Sequence, residues 1–148
     1  MRTFAKVLAV SAAAALALSA CGRSSTDTAG SSATGSATKG GFAANAVIGV
    51  ALPQKTSENW VLAEGLFNKG LAAAGFSADV QFANGGVGEQ QNQISSMVTK
   101  GAKVIVVGAI DGKQLGTQLQ AAKDSGATVI AYDRLVLNTA NVDYYAAF

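Results

Sequence analysis

Short polar segments follow several apolar runs of the sequence, and their side chains could bind one kind of ligand. Asp133 and Arg134 stand directly after the run at 129–132, and Trp60 closes a polar segment after the first run. A carboxylate can accept from two hydroxyl groups and a guanidinium can donate to two, in charge-assisted bonds roughly twice as strong as neutral ones. An indole ring can cover an apolar face. Together they match a sugar, which has a rim of hydroxyl groups and a face of C–H groups.

Further candidates lie in the same kind of position. Lys55, Asn59 and Trp60 belong to "PQKTSENW" after the first run, and Asp111 belongs to "GAIDG" after the third. Each candidate also has a simpler interpretation. The Asp-Arg pair could be a surface ion pair contributing about 0 to 1 kcal/mol. Trp60 could be a core anchor, and the "DG" of Asp111 is common in turns.

The spacing of apolar residues predicts strands that alternate with single helices. We predict four strands at residues 47–52, 78–83, 104–107 and 129–132, with helical stripes between them. Gly75, Gly101 and Gly126 are placed to end the three helices. Residues 141–148 predict a fifth strand. This order indicates a doubly wound α/β fold, with a parallel sheet, helices on both faces and right-handed crossovers.

The predicted fold brings the polar segments together. In an open parallel sheet, ligands bind beyond the carboxyl ends of the strands, near the point where the strand order reverses. The segments after strands one, three and four all leave the sheet at that edge. We therefore expect the candidate residues to meet there.

The first 45 residues have a different character. Arg2 and Lys6 precede an apolar stretch at 7–17 that is too short to span a bilayer, which predicts a signal peptide over residues 1–20. "LSAC" at 18–21 resembles the lipobox of bacterial lipoproteins, which implies that Cys21 carries a lipid. Residues 21–45 are rich in Gly, Ser, Thr and Ala and predict a flexible tether that leads to a folded part at 46–148. We expect an exported protein anchored to the membrane through this lipid.

Composition argues against several functional classes. Removing the two basic residues of the predicted signal peptide from 11 leaves nine basic against nine acidic groups, which is no electrostatic footprint for nucleic acid. With no histidine and one cysteine, the chain cannot form a histidine-based catalytic triad or a Cys/His zinc site. The "GGVG" at 85–88 lacks the spacing of a dinucleotide-binding loop. We expect a protein that is not an enzyme and uses no cofactor.

Three longer segments resemble one family. They are "IGVALPQKTSENW" at 48–60, "NQISSMVTKGAKVIVVGAIDG" at 92–112, and "VIAYDRL" followed by "VDYYAAF". They are similar to the amino-terminal half of the periplasmic sugar-binding proteins of ABC transporters, above all the xylose-binding and multiple-sugar-binding members. The resemblance implies a lobe that closes on a monosaccharide and presents it to a membrane permease.

The resemblance also assigns roles to residues. It implies that Asp133 and Arg134 contact the sugar, and that Lys55 contributes from the loop after strand one. Similar proteins carry an arginine directly before the tryptophan that matches Trp60. Here the residue is Asn59, which can still donate and accept but lacks the charged fork.

The end of the sequence at residue 148 leads to one more expectation. Members of this family continue across a hinge into a second lobe, so the resemblance implies a truncated form that binds sugar no more tightly than millimolar. Two alternatives stay open: a sugar-sensing lipoprotein that docks on a membrane receptor, and a fragment that binds nothing. Repressors built on the same lobes carry a DNA-binding segment where this chain has the predicted signal peptide and tether.

Overall fold

Five parallel strands and three helices make up residues 41–147, the part of the chain that the computed structural model describes. The strands are β1 (Val47–Leu52), β2 (Ser77–Phe82), β3 (Val104–Val107), β4 (Thr128–Tyr132) and β5 (Tyr144–Ala146). The helices are α1 (Glu58–Ala73), α2 (Val87–Thr99) and α3 (Gly116–Asp124). The strands form one sheet in the order β2-β1-β3-β4-β5, and all four pairings are parallel.

The predicted doubly wound α/β fold is confirmed. β1 and β3 have the predicted bounds, and the glycines at 75, 101 and 126 have positive φ angles of about 80° at the ends of the three helices. The fifth strand is shorter than predicted, with three residues instead of eight. It pairs only with β4, so it is an edge strand, and all three of its residues are exposed.

Alternate residues of the buried strands feed two hydrophobic cores, one on each face of the sheet. α2 and α3 pack on one face through Ile94, Met97, Leu115 and Leu119, which contact Ile105 and Val107. α1 alone packs on the other face through Trp60 and Ala63, which contact Val50, Val104 and Val106. The period of two in β3 therefore divides its four buried residues between the two faces. Burial on both faces explains why these strands read as continuous apolar runs.

Residues just before β1 contact the core. The ring of Phe42, within the predicted tether, lies 6.3 Å from that of Phe76 in an edge-to-face contact and packs against the α1 side of the core. The Asn45 amide donates to the Gly75 carbonyl at 2.8 Å. The predicted signal peptide and Cys21 lie outside the described residues. Within residues 41–147, no helix has the length and apolar character needed to cross a membrane.

A buried glutamine joins α2 to the carboxyl ends of β1 and β3. The Nε2 group of Gln90 donates to the carbonyls of Ala51 at 3.3 Å and Gly108 at 2.9 Å, and its Oε1 accepts from the Ile110 amide at 3.0 Å. Its side chain is fully buried, so these bonds replace water for three backbone groups. Gln90 therefore holds the ends of β1 and β3 together, where the strand order reverses.

We expect Gln90→Leu to lower the free energy of unfolding by about 2 to 4 kcal/mol, because it keeps the volume of the side chain but removes the bonds to the Gly108 carbonyl and the Ile110 amide. Urea denaturation followed by circular dichroism measures this. Gln91→Leu is the matched control, since the Gln91 amide makes only an exposed bond to the Gln114 carbonyl. Equal losses in the two variants would contradict a special role for Gln90.

Asp143 attaches the segment before β5 to the rest of the sheet. Its carboxylate accepts from the Lys123 ammonium at 2.6 and 2.8 Å and from the Val129 amide at 2.8 Å. Its own amide donates to the Val129 carbonyl at 2.9 Å. The bonds from Lys123 and then from Val129 lower the pKa of Asp143 below its usual value of 3.8. The charged carboxylate is thus the form that stabilises this attachment.

A lowered pKa sets the sign of the pH dependence. The stabilisation by Asp143 is complete above pH 3.8 and is lost as the pH falls through the lower pKa of the folded state. We expect Asp143→Asn to be less stable than the wild type at pH 7, and the difference to shrink as the pH falls below 3.8. Urea midpoints at several pH values measure it. Asp124→Asn serves as a control, and a pH-independent difference for Asp143→Asn would contradict the linkage.

Candidate functional site

The candidate site is built on the edge of the sheet where β1 and β3 end. β1 has β2 on one side and β3 on the other, so the strand order reverses here. The Gly108 amide continues the pairing by donating to the Ala51 carbonyl at 2.9 Å. A Cβ at Gly108 would lie 3.1 Å from two atoms of the Trp60 ring and 3.2 Å from Pro53. Glycine at this position lets the indole lie directly on the strand end.

Trp60 links the core to the site. Its side chain is only 5% exposed, and its ring lies 6.0 Å from that of Tyr132 in an edge-to-face contact. The Arg134 guanidinium lies over the indole with its Cζ 5.3 Å from the ring centroid, a cation–π contact. The structure thus supports the core-anchor interpretation of Trp60 and gives it a contact with a predicted sugar-binding residue.

Arg134 is held in place on two sides. Its Nη1 group donates to the Ala109 carbonyl at 3.1 Å, while the plane of the guanidinium rests on the indole. A guanidinium carries five N–H donors, so the bond to Ala109 leaves others available. Arg134 is exposed and forms no ion pair with Asp133 or any other residue of the described chain. The surface ion pair considered from the sequence is therefore wrong.

Asp133 has a fixed backbone and a carboxylate that no other described residue binds. Its φ angle of 62° lies in the left-handed region, which aspartate tolerates better than most residues. β5 stabilises this conformation, because the Asp133 amide donates to the Ala146 carbonyl at 2.8 Å and the Tyr145 hydroxyl donates to the Asp133 carbonyl at 3.0 Å. Within residues 41–147 its half-buried carboxylate makes no hydrogen bond or ion pair, so it can accept from a ligand.

Lys55 lies in a second group of contacts, beside β2. Its Nζ group is 3.1 Å from Oε1 of Glu64 and lies 4.9 Å from the centroid of the Phe82 ring. The backbone amide of Lys55 donates to Oδ1 of Asn84 at 3.0 Å, which joins the loops after β1 and β2. None of these contacts includes Asp133 or Arg134, so the structure joins Lys55 to the candidate site only through the shared sheet edge.

Asn59 is an exposed residue of the first turn of α1. It lines an open hollow of about 290 Å³ with Leu62, Ala63, Leu66 and Tyr132. Tyr132 contacts Trp60 and directly precedes Asp133, so Asn59 lies on the side of the site formed by α1 and β4.

Asp111 is engaged within its own turn. Its carboxylate accepts from the Lys113 amide at 2.8 Å and from Nε2 of Gln114 at 2.6 Å. The bond from Gln114, followed by that from Lys113, lowers the pKa of Asp111. This agrees with the turn interpretation of "DG". The residue after Asp111 is a glycine because the space is too small for a side chain: a Cβ at Gly112 would lie 2.2 Å from the Leu135 carbonyl oxygen.

Sequence reasoning missed several residues that shape the site. Gln90 positions the loop after β3, and Tyr145 holds the backbone of Asp133. The Leu137 amide donates to the Gly112 carbonyl at 2.8 Å and ties the loops after β3 and β4 together. Of these residues, only Tyr145 belongs to a motif that could have been noticed in the sequence, the "YY" of the last segment. In the described part of the chain, no group of His, Cys, Asp or Glu side chains could hold a metal ion.

Comparisons with known proteins bear on this arrangement. Residues 48–148 match the family described as "Periplasmic binding protein domain". The multiple sugar-binding periplasmic receptor of Rhizobium radiobacter is 47% identical over 108 residues, 72% of this chain and 30% of that protein. The D-xylose-binding periplasmic protein of Escherichia coli is 35% identical over 68% of this chain and 30% of its own length. The chain thus spans about 30% of the length of these relatives.

Solved structures give the same result. A solute-binding protein of an ABC transporter from Clostridium phytofermentans, with bound β-D-glucose, superposes with a TM-score of 0.67 and 42% identity over 69% of this chain and 32% of that chain. One from Chloroflexus aurantiacus, in complex with D-glucose, has a TM-score of 0.64 and 33% identity over 68% of this chain and 30% of that one. From its sequence match, its parallel sheet and these neighbours, this chain belongs to the periplasmic binding protein domain family.

Proposed function

We propose that this chain binds a monosaccharide at the carboxyl ends of β1, β3 and β4, as part of the substrate-binding protein of an ABC transporter. The observation that carries the proposal is that a carboxylate without a partner among residues 41–147 directly precedes an oriented guanidinium in the sequence. Asp133 is held by β5, and Arg134 is held by Trp60 and Ala109. The names of the relatives, multiple sugar-binding and D-xylose-binding proteins, support a sugar as the ligand.

Each residue of the pair has a distinct role in this proposal. The Asp133 carboxylate accepts from two neighbouring hydroxyl groups, and Arg134 donates from the N–H groups that the Ala109 carbonyl does not use. Both backbones are fixed before the ligand arrives, so little conformational entropy is lost on binding. Trp60 supplies the aromatic surface beneath the guanidinium, and Tyr132 packs against that indole edge to face.

Lys55, Asn59 and Asp111 are secondary members of the proposed site. Lys55 must exchange its ion pair with Glu64 for a ligand hydroxyl, and Asp111 must share oxygens that already accept from Lys113 and Gln114. Asn59 is exposed, and no hydrogen bond of its side chain is found within residues 41–147, so it can donate to and accept from a ligand. We therefore assign the largest share of the affinity to Asp133 and Arg134.

The location and partners of the protein follow the same proposal. The proposal includes export, a lipid on Cys21 and delivery of the sugar to a membrane permease. The lipobox resemblance and the periplasmic names of the relatives support it. One relative at 47% identity is named a receptor. That name favours a second candidate, a sugar-sensing lipoprotein that docks on a membrane receptor.

Sugar binding can be followed through Trp60, the only tryptophan of the chain. A hydroxyl group bound by Arg134 changes the guanidinium–indole contact and with it the fluorescence. We expect a saturable change with xylose or glucose and a dissociation constant of about 1 mM or weaker, since residues 41–147 contact the ligand from one side. Asp133→Asn tolerates the left-handed backbone but removes the charge, and should weaken binding about 5- to 10-fold.

Asp124→Asn is the matched control for this titration, because it makes the same chemical change on the exposed end of α3. Its dissociation constant should equal that of the wild type. A fluorescence that sugar leaves unchanged, or equal affinities for Asp133→Asn and the wild type, would contradict the proposed site. Binding clearly tighter than 1 mM would contradict the one-sided contact.

The lipid anchor has its own test. Cells that express the chain are labelled with a radioactive fatty acid, and membrane and soluble fractions are compared for the wild type and for Cys21→Ser. We expect label and membrane association in the wild type and loss of both in the variant, because Cys21 supplies the only thiol. Ser19→Ala, beside the cysteine, should retain the label. A labelled Cys21→Ser variant would disprove the anchor.

A further inference from the structure

The chain makes a very tight turn at Asp133, the residue that directly follows β4. The Arg134 amide donates to the Tyr132 carbonyl at 2.7 Å across Asp133, whose φ angle is 62°. A hydrogen bond that spans a single residue with positive φ is the mark of a classic γ-turn, which is rare and strained. A strained backbone persists only where the surrounding structure holds it, and it occurs mostly at functional sites.

The turn also affects where the two neighbouring side chains lie. In a strand that continued straight, successive side chains would point to opposite faces of the sheet. The turn ends this alternation after Tyr132, and Arg134 reaches the Ala109 carbonyl and the Trp60 ring. A relaxed backbone at Asp133 would therefore change the position of its carboxylate relative to Arg134.

Two bonds from β5 hold the peptide groups of this turn. The Asp133 amide donates to the Ala146 carbonyl at 2.8 Å, which continues the pairing of β4 with β5. The Asp133 carbonyl accepts from the Tyr145 hydroxyl at 3.0 Å. The first bond joins backbone groups, whereas the second needs a side-chain hydroxyl at position 145. Tyr145 is therefore the part of this support that depends on the sequence of β5.

We propose that Tyr145 is a positioning residue of the sugar site. Its hydroxyl keeps the γ-turn at Asp133 closed and so holds the Asp133 carboxylate where it accepts from the sugar. Tyr145 acts through the backbone of Asp133 and makes no contact with the ligand. This role rests on the proposed function, because Asp133 must bind the sugar for its position to affect the affinity.

Tyr145→Phe tests this role, because it removes the hydroxyl and keeps the ring. We expect xylose and glucose to bind the full chain about 3- to 10-fold more weakly, as for the loss of one hydrogen bond. The urea midpoint should stay close to that of the wild type, since the turn can relax its strain once the bond is gone. Trp60 fluorescence, excited at a wavelength that tyrosine does not absorb, measures the affinities.

Tyr144→Phe is the matched control, because it makes the same chemical change one residue earlier in β5. No hydrogen bond of the Tyr144 hydroxyl is found within residues 41–147. As a strand neighbour of Tyr145, Tyr144 has its ring on the other face of the sheet. Its removal of a hydroxyl should leave the sugar affinity equal to that of the wild type.

The monodeoxy analogues of glucose separate positioning from a general loss of structure. An analogue that lacks a hydroxyl group bound by Asp133 gains less from this carboxylate, so Asp133→Asn weakens its binding less than it weakens that of glucose. If Tyr145 acts through Asp133, the same analogues should be less sensitive to Tyr145→Phe. Analogues that keep these hydroxyl groups should lose as much affinity as glucose does.

The turn can also be followed without a ligand. The Asp133 and Arg134 amides both donate to backbone carbonyls at the turn, so their hydrogen exchange, measured by NMR spectroscopy, reports how often it opens. We expect Tyr145→Phe to speed the exchange of these two amides about 3- to 10-fold, and Tyr144→Phe to leave it unchanged. If the wild type bound no sugar, the proposed function would fail, whereas the exchange rates would still decide whether Tyr145 holds the turn.

Three results would overturn the role of Tyr145. Equal sugar affinities of Tyr145→Phe and a wild type that binds would mean that the carboxylate keeps its position without the hydroxyl. Unchanged exchange of the Asp133 and Arg134 amides would mean that the turn is held by other bonds. Weakening of glucose and of every deoxy analogue by the same factor would show that Tyr145 does not act through Asp133.

Discussion

The arrangement of the sheet edge depends on the buried carboxamide of Gln90. It is the only polar side chain buried in the cores of the described residues, and it bonds to one backbone group of β1 and to two in the segment that follows β3. An amide that donates twice and accepts once can bind both strand ends and the loop that follows β3 at the same time. The cost of burying this group is recovered only if all three bonds form together, so the loop after β3 has one favoured position. That position sets the carbonyl of Ala109, which in turn holds Arg134.

The contacts around Gln90 continue into the candidate site, where they fix the backbone of the loops and leave selected side chains without a partner among the described residues. The loops after β3 and β4 meet at Gly112 and Leu137, and β5 holds Asp133 in its left-handed conformation. The carboxylate of Asp111 is used to make its turn, whereas that of Asp133 is not used by any described residue. This contrast distinguishes two aspartates that look alike in the sequence. A group held by its backbone and unpaired at its side chain is preorganised for a ligand.

The inner side of α1 connects the smaller core with the candidate site. The inner side completes the smaller core through Trp60 and also supports Arg134 from below. On its outer side Val61, Leu62 and Leu66 are exposed in the described part of the chain. α2 and α3 contact each other on the opposite face of the sheet. Membership of the periplasmic binding protein domain family agrees with the sheet and with the edge at which the strand order reverses.

The sequence by itself determined the order of the elements, the parallel sheet and the sheet edge at which the candidate site lies. These follow from local patterns: apolar runs in β1 and β3, helical stripes, and glycines at positions such as 75 and 101, where φ must be positive. Only the tertiary structure decided the roles of the individual side chains. Gln90 reaches carbonyls 18 and 39 residues away, and Tyr145 reaches one 12 residues away, so no local pattern marks them. The burial of Trp60, the partner of Arg134 and the free carboxylate of Asp133 likewise depend on which distant segments the sheet brings together, because a side chain's role is set by its neighbours in space.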